Sequence, residues 1–378
     1  MTMKVAASKS KGPRKSPPPA VVYYETGRPR STTHARATFF EIAKRLALLN
    51  GADFAAQYDA MRDYAGPLYF VPDDTLLSEV AVRLNIRDES HLFGGVVPFG
   101  FVATKAITHP RLDRSSVVPW GWSDQFAERV AHVVHRGLTA FGEEDAYRGV
   151  IRLLDVGSIR LKPTRESGAC GQIIVTDTKS LRSALKVIDG ADLRDYGVVL
   201  EENLEQVTTY SVGLVQTAGL IISYLGTQYL TPNNEGAMVY GGSKLFVVRG
   251  QFEALLKQPH DHNARLAIKQ AMVYDAAAKE LFPDLLVSRC NYDVAQGIDG
   301  RGQWRSGVLE QSWRLGGATG AEISALEAFQ KDPSLNVVSA LCVEKYGKVH
   351  DVPRQATVYF CGIDDQVGPL TKYSMLTQ

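Results

Sequence analysis

The alternation of side chains is clearest late in the chain, within Val287–Glu322. Arg289–Val294 alternates as a strand does, Gly297–Gly302 is a glycine-rich turn, and Ser306–Trp313 returns, so the pattern predicts a hairpin. Nearer the N-terminus, Val21–Tyr24 and Leu68–Val71 are short apolar strands. Between them Phe39, Phe40, Ile42, Ala43, Leu46 and Leu48 have helical spacing. Asp73–Leu84, opened by acidic residues, predicts a second helix, and this alternation implies a small α/β layer. Leu92–Pro98 and Val102–Pro110 are punctuated by glycine and proline and read as loop or short strand.

Ser123–Val134, with Ser123 as its cap, and Asp145–Leu154 have helical spacing. Ser158–Pro163 is a strand carrying Lys162, and Glu166–Gln172 is a loop with two glycines. A strand at Ile173–Val175 and a helix at Ser180–Ile188 follow, and then the apolar strand Val198–Leu200 runs into Glu201, Glu202 and Asn203. Val207–Val215 and Leu220–Tyr229 form a hairpin around Thr217, Ala218 and Gly219, and Glu235–Lys244 reads as a loop. Asn263–Phe282 is an amphipathic helix ended by Pro283. A helix at Glu322–Gln330 and β-rich pieces at Val337–Glu344 and Thr357–Cys361 complete an α/β (α+β) chain.

Composition narrows the partners. The chain has 378 residues, 45% hydrophobic and 22% charged, with a formal net charge of +1. That is enough for two or three cores, and it gives no electrostatic reason to expect nucleic acid or an anionic membrane as partner. No apolar run reaches the roughly 18 to 20 residues that span a bilayer, and the basic, proline-rich Met1–Ala20 has no apolar segment of a secretory signal. That stretch reads as a disordered tail. Cys170, Cys290, Cys342 and Cys361 are widely spaced, which predicts reduced thiols in a cytoplasmic protein.

The hairpin carries the candidate chemistry. Asp293 lies on the outgoing strand, and Glu310, Ser312 and Arg314 follow at spacing two on the return. An antiparallel return can bring all four onto one face. Two carboxylates, a hydroxyl and a guanidinium suit a Mg²⁺-phosphate site, since Mg²⁺ is held by one or two carboxylates plus phosphate oxygens. A solvent-facing charged strand would show the same residues.

In chain order stand two lysines, a glycine loop, an apolar strand ending in acids, and this hairpin. The set resembles the ATP-grasp superfamily, the fold of carboxylate–amine ligases and biotin carboxylase, over roughly Pro98–Ala325. Within it the chain is similar to an uncharacterised bacterial family often labelled biotin-carboxylase-like. The resemblance implies a tail (1–20), an N-terminal α/β domain (21–120), a subdomain with glycine loop and adenine hinge (121–205) and a β-rich subdomain with the metal hairpin (206–378). It implies that Lys105 and Lys162 contact nucleotide phosphates and that Gly168 and Gly171 belong to a phosphate-covering loop. Leu200 and Leu204 would pack an adenine ring, Glu201 would face its amino group, and backbone groups near Glu202 would pair with its edge. Asp293, Glu310 and Ser312 would hold Mg²⁺, and Arg314 would steady the acyl phosphate or the attacking group.

Two positions depart from the family pattern. Thr208-Thr209-Tyr210 stands where many members carry a ribose-binding Glu, leaving Thr209 as the candidate contact. Ser312 stands where the Glu-x-Asn-x-Arg pattern has its amide. The implied activity is an ATP- and Mg-dependent ligase that activates a carboxylate as an acyl phosphate for attack by an amine. The alternatives are a biotin-carboxylase-like enzyme and a nucleotide-binding protein without ligase activity. Glu322 reads either as a base or as a first-turn helix acid. The expected partners are small-molecule carboxylate and amine substrates, with no nucleic acid or membrane, and an oligomer is open.

Overall fold

The computed structural model describes residues 19–27, 32–165, 171–186, 188–348 and 351–377. Its largest element is an eight-stranded antiparallel sheet in the spatial order Trp304–Ser312, Arg289–Ile298, Glu205–Thr217, Leu220–Pro232, Met238–Arg249, Val337–Tyr346, Gly368–Thr377, Thr357–Asp364. The expected hairpin forms its first edge. Alternation sorts the outgoing strand. Cys290, Tyr292 and Val294 enter a core shared with the helix His262–Leu281, so Arg289, Asn291 and Asp293 lie on the opposite face. That helix is capped by Asp261, which accepts the Ala264 N–H at 2.7 Å.

The opposite face is covered further along by the helices Thr33–Leu49 and Thr319–Lys331, packed on Val215, Ile222, Tyr224, Leu245 and Val247. The first of these helices crosses between parallel strands of a small sheet, ordered Asp53–Gln57, Ala20–Tyr24, Leu68–Pro72. A third layer is the sheet Gly137–Ala140, Val198–Glu202, Ile159–Pro163, Ile173–Val175 with the helices Glu143–Leu153 and Thr178–Leu185 on its apolar face. No helix among the described residues is long and apolar enough to cross a membrane.

Several expectations are corrected. Asp73–Leu84 is not one helix: Leu76–Leu77 pairs with Gly95–Val97, and the helix is only Ser78–Arg83. Asp73 instead accepts the Thr26 N–H at 2.9 Å and the Thr26 hydroxyl at 2.6 Å, which holds it in a turn. Met238–Arg249 is a strand where a loop was expected up to Lys244, because its backbone pairs with strands on both sides through the glycines and polar residues at its middle. Asp53–Gln57, Gly137–Ala140 and Gly368–Thr377 are further strands without a strong apolar signal. The helix expected from Ser123 begins at Gln125 and ends at Val130.

Glu322 also resolves. Its carboxylate is fully buried at 0% exposure and accepts three bonds from the equally buried Arg289, the shortest 2.7 Å from Nη2. Arg289 reaches on to the carbonyls of Ser312 at 3.2 Å and Arg314 at 2.6 Å. The carboxylate therefore fixes the end of the hairpin to the helix and is not exposed to act as a base. Removing one partner strands a buried charge, so Glu322→Ala should cost about 3–5 kcal/mol in urea unfolding. An unchanged midpoint would show that the pair holds nothing together.

Candidate functional site

The site forms where the polar face of the hairpin meets the third layer and the N-terminal layer. Asp293 and Glu310 are direct cross-strand partners, as are Asn291 and Ser312. A regular strand could not join this register to the one nearer the turn. Val294 pairs with Val308 while Asp293 pairs with Glu310, which leaves Leu309 as an extra residue in a bulge. The bulge lets Val308 point into the core and Glu310, two residues on, point the other way.

Asp293 is enclosed by donors: its Oδ1 accepts from Ser211 Oγ at 2.9 Å, Asn291 Nδ2 at 2.9 Å and Gln228 Nε2 at 3.2 Å. Burial, and then the neighbouring Glu310 charge, push its carboxyl above the ordinary carboxylate value. Glu310 is paired with Lys105 Nζ at 2.7 Å. Lys105, only 4% exposed, is aimed there by Gln311, whose amide donates to the carbonyls of Val102 at 2.9 Å and Thr104 at 2.8 Å. Thr209 is half-buried on the same sheet face as Ser211 and Asp293, two residues from the serine.

Across the cleft, Lys162 donates to Glu201 Oε1, and His109 Nε2 meets Glu201 Oε2 at 2.9 Å. All three side chains are buried. Burial alone would raise the Glu201 carboxyl, but Lys162, His109 and His135 outweigh it and hold it well below the usual range. The hinge differs here from the expectation. The Glu201 carboxylate is already engaged, the Glu202 N–H donates to the Arg136 carbonyl at 2.9 Å and the Asn203 N–H to the Ser158 carbonyl at 3.0 Å. Leu200 lies in the core of the third layer, because alternation turns it away from Glu201, and Leu204 is buried near Gly297. Gly171 is exposed with φ +66°, and Gly168 lies outside the described residues.

Arg314 stands beyond the last residue of the return strand, 3.5 Å from Asp74 of the N-terminal layer. It helps line a cavity of about 340 Å³ together with Lys105, Glu310, Ser312, Asp74 and Arg165. The structure thus groups Lys105, Asp293, Glu310, Ser312 and Arg314 around the hairpin, and Lys162 with Glu201 across from it. Asn291, Ser211, Gln228, His109 and Asp74 were not expected. Only Asn291 carried a signal, since it shares the parity of Asp293 on an alternating strand.

A family model described as protein of unknown function, DUF3182, matches residues 22–374. The chain belongs to this family. No curated protein matches it in sequence. Among solved structures it is similar to the biotin carboxylase β,γ-ATP complex from Campylobacter jejuni, with a TM-score of 0.54 and 12% identity over 95% of this chain and 87% of that one. It is also similar to the biotin carboxylase domain of the Hydrogenobacter thermophilus 2-oxoglutarate carboxylase, crystallised with MgADP, ADP and bicarbonate. There the TM-score is 0.50 with 11% identity, over 95% of this chain and 86% of that one. The fold of this DUF3182 member is the ATP-grasp fold.

The raised Asp293 carboxyl has a consequence for stability. A carboxyl whose folded value exceeds its unfolded value binds more protons when folded, so stability falls as pH rises through the window between the two. Asp293→Asn should therefore raise the unfolding midpoint near pH 7 and flatten its decline above the ordinary carboxylate value, as read by thermal melts from pH 4 to 8. A less stable variant at pH 7 would contradict this.

Proposed function

We propose that this DUF3182 protein is an ATP- and Mg²⁺-dependent ligase that activates a small carboxylate for attack by an amine or similar nucleophile. The observation that carries the reading is the Asp293–Glu310 pair, two carboxylates opposed on one strand pair with a buried lysine against them. Like charges directly opposite each other are destabilising, so such a pair calls for a cation.

The donor set fits the metal. Asp293, Glu310 and Ser312 offer only oxygen, which suits Mg²⁺. Among the described residues no three His, Cys, Asp or Glu side chains gather to hold a metal alone. A hard cation shared with phosphate oxygens needs no such cage. MgATP would supply the γ-phosphoryl group that converts the carboxylate to an acyl phosphate.

This chain's residues would then work by position and charge. Lys105 and Lys162, both buried, would exchange a carboxylate partner for phosphate oxygens. Arg314, at the cavity wall, would orient the carboxylate and stabilise the oxyanion formed on nucleophilic attack. Substrate choice would fall to the N-terminal layer, through Asp74 and its neighbours, and not to Glu235–Lys244, which does not line the cavity.

Thermal unfolding with MgATP tests the reading. A ligand of the folded state adds about 2.7 kcal/mol at a hundredfold excess over Kd, and Lys162→Ala or Glu310→Ala should remove that gain. Each should also lower ADP formation by about 10²-fold or more, measured with a panel of acids and amines. ATP binding without ADP formation would make the chain a nucleotide-binding protein only. ADP release that requires both bicarbonate and biotin would make it biotin-carboxylase-like. No shift at millimolar ATP would end the ligase reading.

A further inference from the structure

Hydrogen-bond accounting around Tyr224 leaves one group misfitted. The Tyr224 hydroxyl lies 2.7 Å from Glu322 Oε1 and 3.0 Å from Asn291 Oδ1. It has one proton. Glu322, ion-paired with Arg289, can only accept, and it is the nearer partner, so the Tyr224 O–H donates to it. The tyrosine oxygen is then left against the Asn291 oxygen, acceptor to acceptor, at a site where Asn291 is 9% exposed. At the other end of the same amide, Nδ2 donates to Asp293 Oδ1 at 2.9 Å, beside Ser211 at 2.9 Å and the more distant Gln228, whose Nε2 lies nearer Ser211 Oγ.

Turning the amide over relieves the contact with Tyr224. Nδ2 would donate to Tyr224, and Ser211 and Gln228 would suffice for Asp293 Oδ1. Two oxygens, of Asn291 and Asp293, would then face each other, an arrangement stable only with a cation or a proton between them. Glu310 lies directly across from Asp293, and Ser312 directly across from Asn291.

We propose that Asn291 is a ligand of the divalent cation, supplying from the outgoing strand the amide oxygen that the return strand lacks at Ser312. The amide has two settings. Without the cation it donates to Asp293; with it, Oδ1 binds the metal and Nδ2 is held by Tyr224. Arg289 and Glu322 position this ligand through Tyr224, so the buried pair that anchors the hairpin also orients its metal face. This rests on the reading that the Asp293–Glu310 face binds Mg²⁺.

Mn²⁺ titration followed by electron paramagnetic resonance, with the β,γ-imido analogue of ATP present, separates the two claims. Asp293→Asn should lose the tight Mn²⁺ site. Asn291→Leu should weaken Mn²⁺ by about tenfold or more, and by more than Ser312→Ala does, and Tyr224→Phe should weaken it by about tenfold, as losses around a metal ligand do. Asn291→Asp, which restores an oxygen at the same place, should recover the affinity that Asn291→Leu loses. That recovery excludes a folding defect as the cause. If Asn291→Leu binds Mn²⁺ within twofold of wild type while Asp293→Asn does not bind, the inference is wrong and the cation face stands. If Asn291→Asp fails to recover affinity, the inference is also wrong. Unchanged binding in Asp293→Asn, or no Mn²⁺ bound by wild type, would remove the cation face and Asn291 with it.

Discussion

Two carboxylates opposed on neighbouring strands repel, and much of the surrounding structure answers that repulsion. Asp293 is wrapped in neutral donors from Ser211, Gln228 and Asn291, and Glu310 is met by the ammonium of Lys105. Those partners come from three separate strands and a short turn, so the pair is assembled by the tertiary fold and not by local sequence. Gln311 shows how tightly the parts are joined. By holding the carbonyls that flank Ala103 it sets where Lys105 begins. The neighbour of Glu310 thus positions the partner of Glu310 from behind.

Beneath the carboxylates lies a second buried charge pair, and its role differs. Arg289 and Glu322 are enclosed on all sides, and a well-packed apolar pair would often be as stable. What an apolar pair would not provide is direction. Arg289 holds two carbonyls at the end of the return strand, and Glu322 accepts the hydrogen bond of the Tyr224 hydroxyl, so the ion pair specifies both where Arg314 leaves the sheet and how the hydroxyl beside Asn291 is turned. Specificity is the sounder account of its presence.

Legibility in the sequence followed the period of each element. The hairpin, the helix ending before Pro283 and the strand bearing Lys162 declared themselves through alternation, helical spacing and proline. The strand Met238–Arg249 did not, because Gly241, Gly242, Ser243 and Lys244 interrupt its apolar pattern while its backbone still pairs on both sides. Leu200 could be placed near the hinge but not on the right face, since a continuous apolar run carries no parity. The bulge at Leu309 was hidden for the opposite reason: Val308 and Glu310 are two apart, so a regular reading puts them together, and only their incompatible chemistry hints that they part. Asn291 was visible by parity but had no motif to draw attention to it. Tyr224, Ser211 and His109 are ordinary residues made significant by what the fold sets beside them.

The hinge poses the last question of energetics. Lys162, Glu201 and His109 satisfy one another in a buried cluster, so a nucleotide there would have to exchange bonds and not fill vacant ones. Exchange need not be costly, because an ammonium that leaves a carboxylate for a phosphate keeps an anionic partner. Glu201 is the constrained member. Its carboxyl is held ionised by Lys162, and losing that lysine would leave it with the histidines alone, in a place where burial opposes the charge. Among the described residues His109 Nδ1 is buried without a hydrogen-bond partner, and His109 meets Glu201 through Nε2 alone. If nucleotide phosphates drew Lys162 away, Glu201 would need another donor in its place. An adenine amino group beside the strand end would be a donor of that kind, and under the proposed function it would tie recognition of the base to the lysine's move toward phosphate.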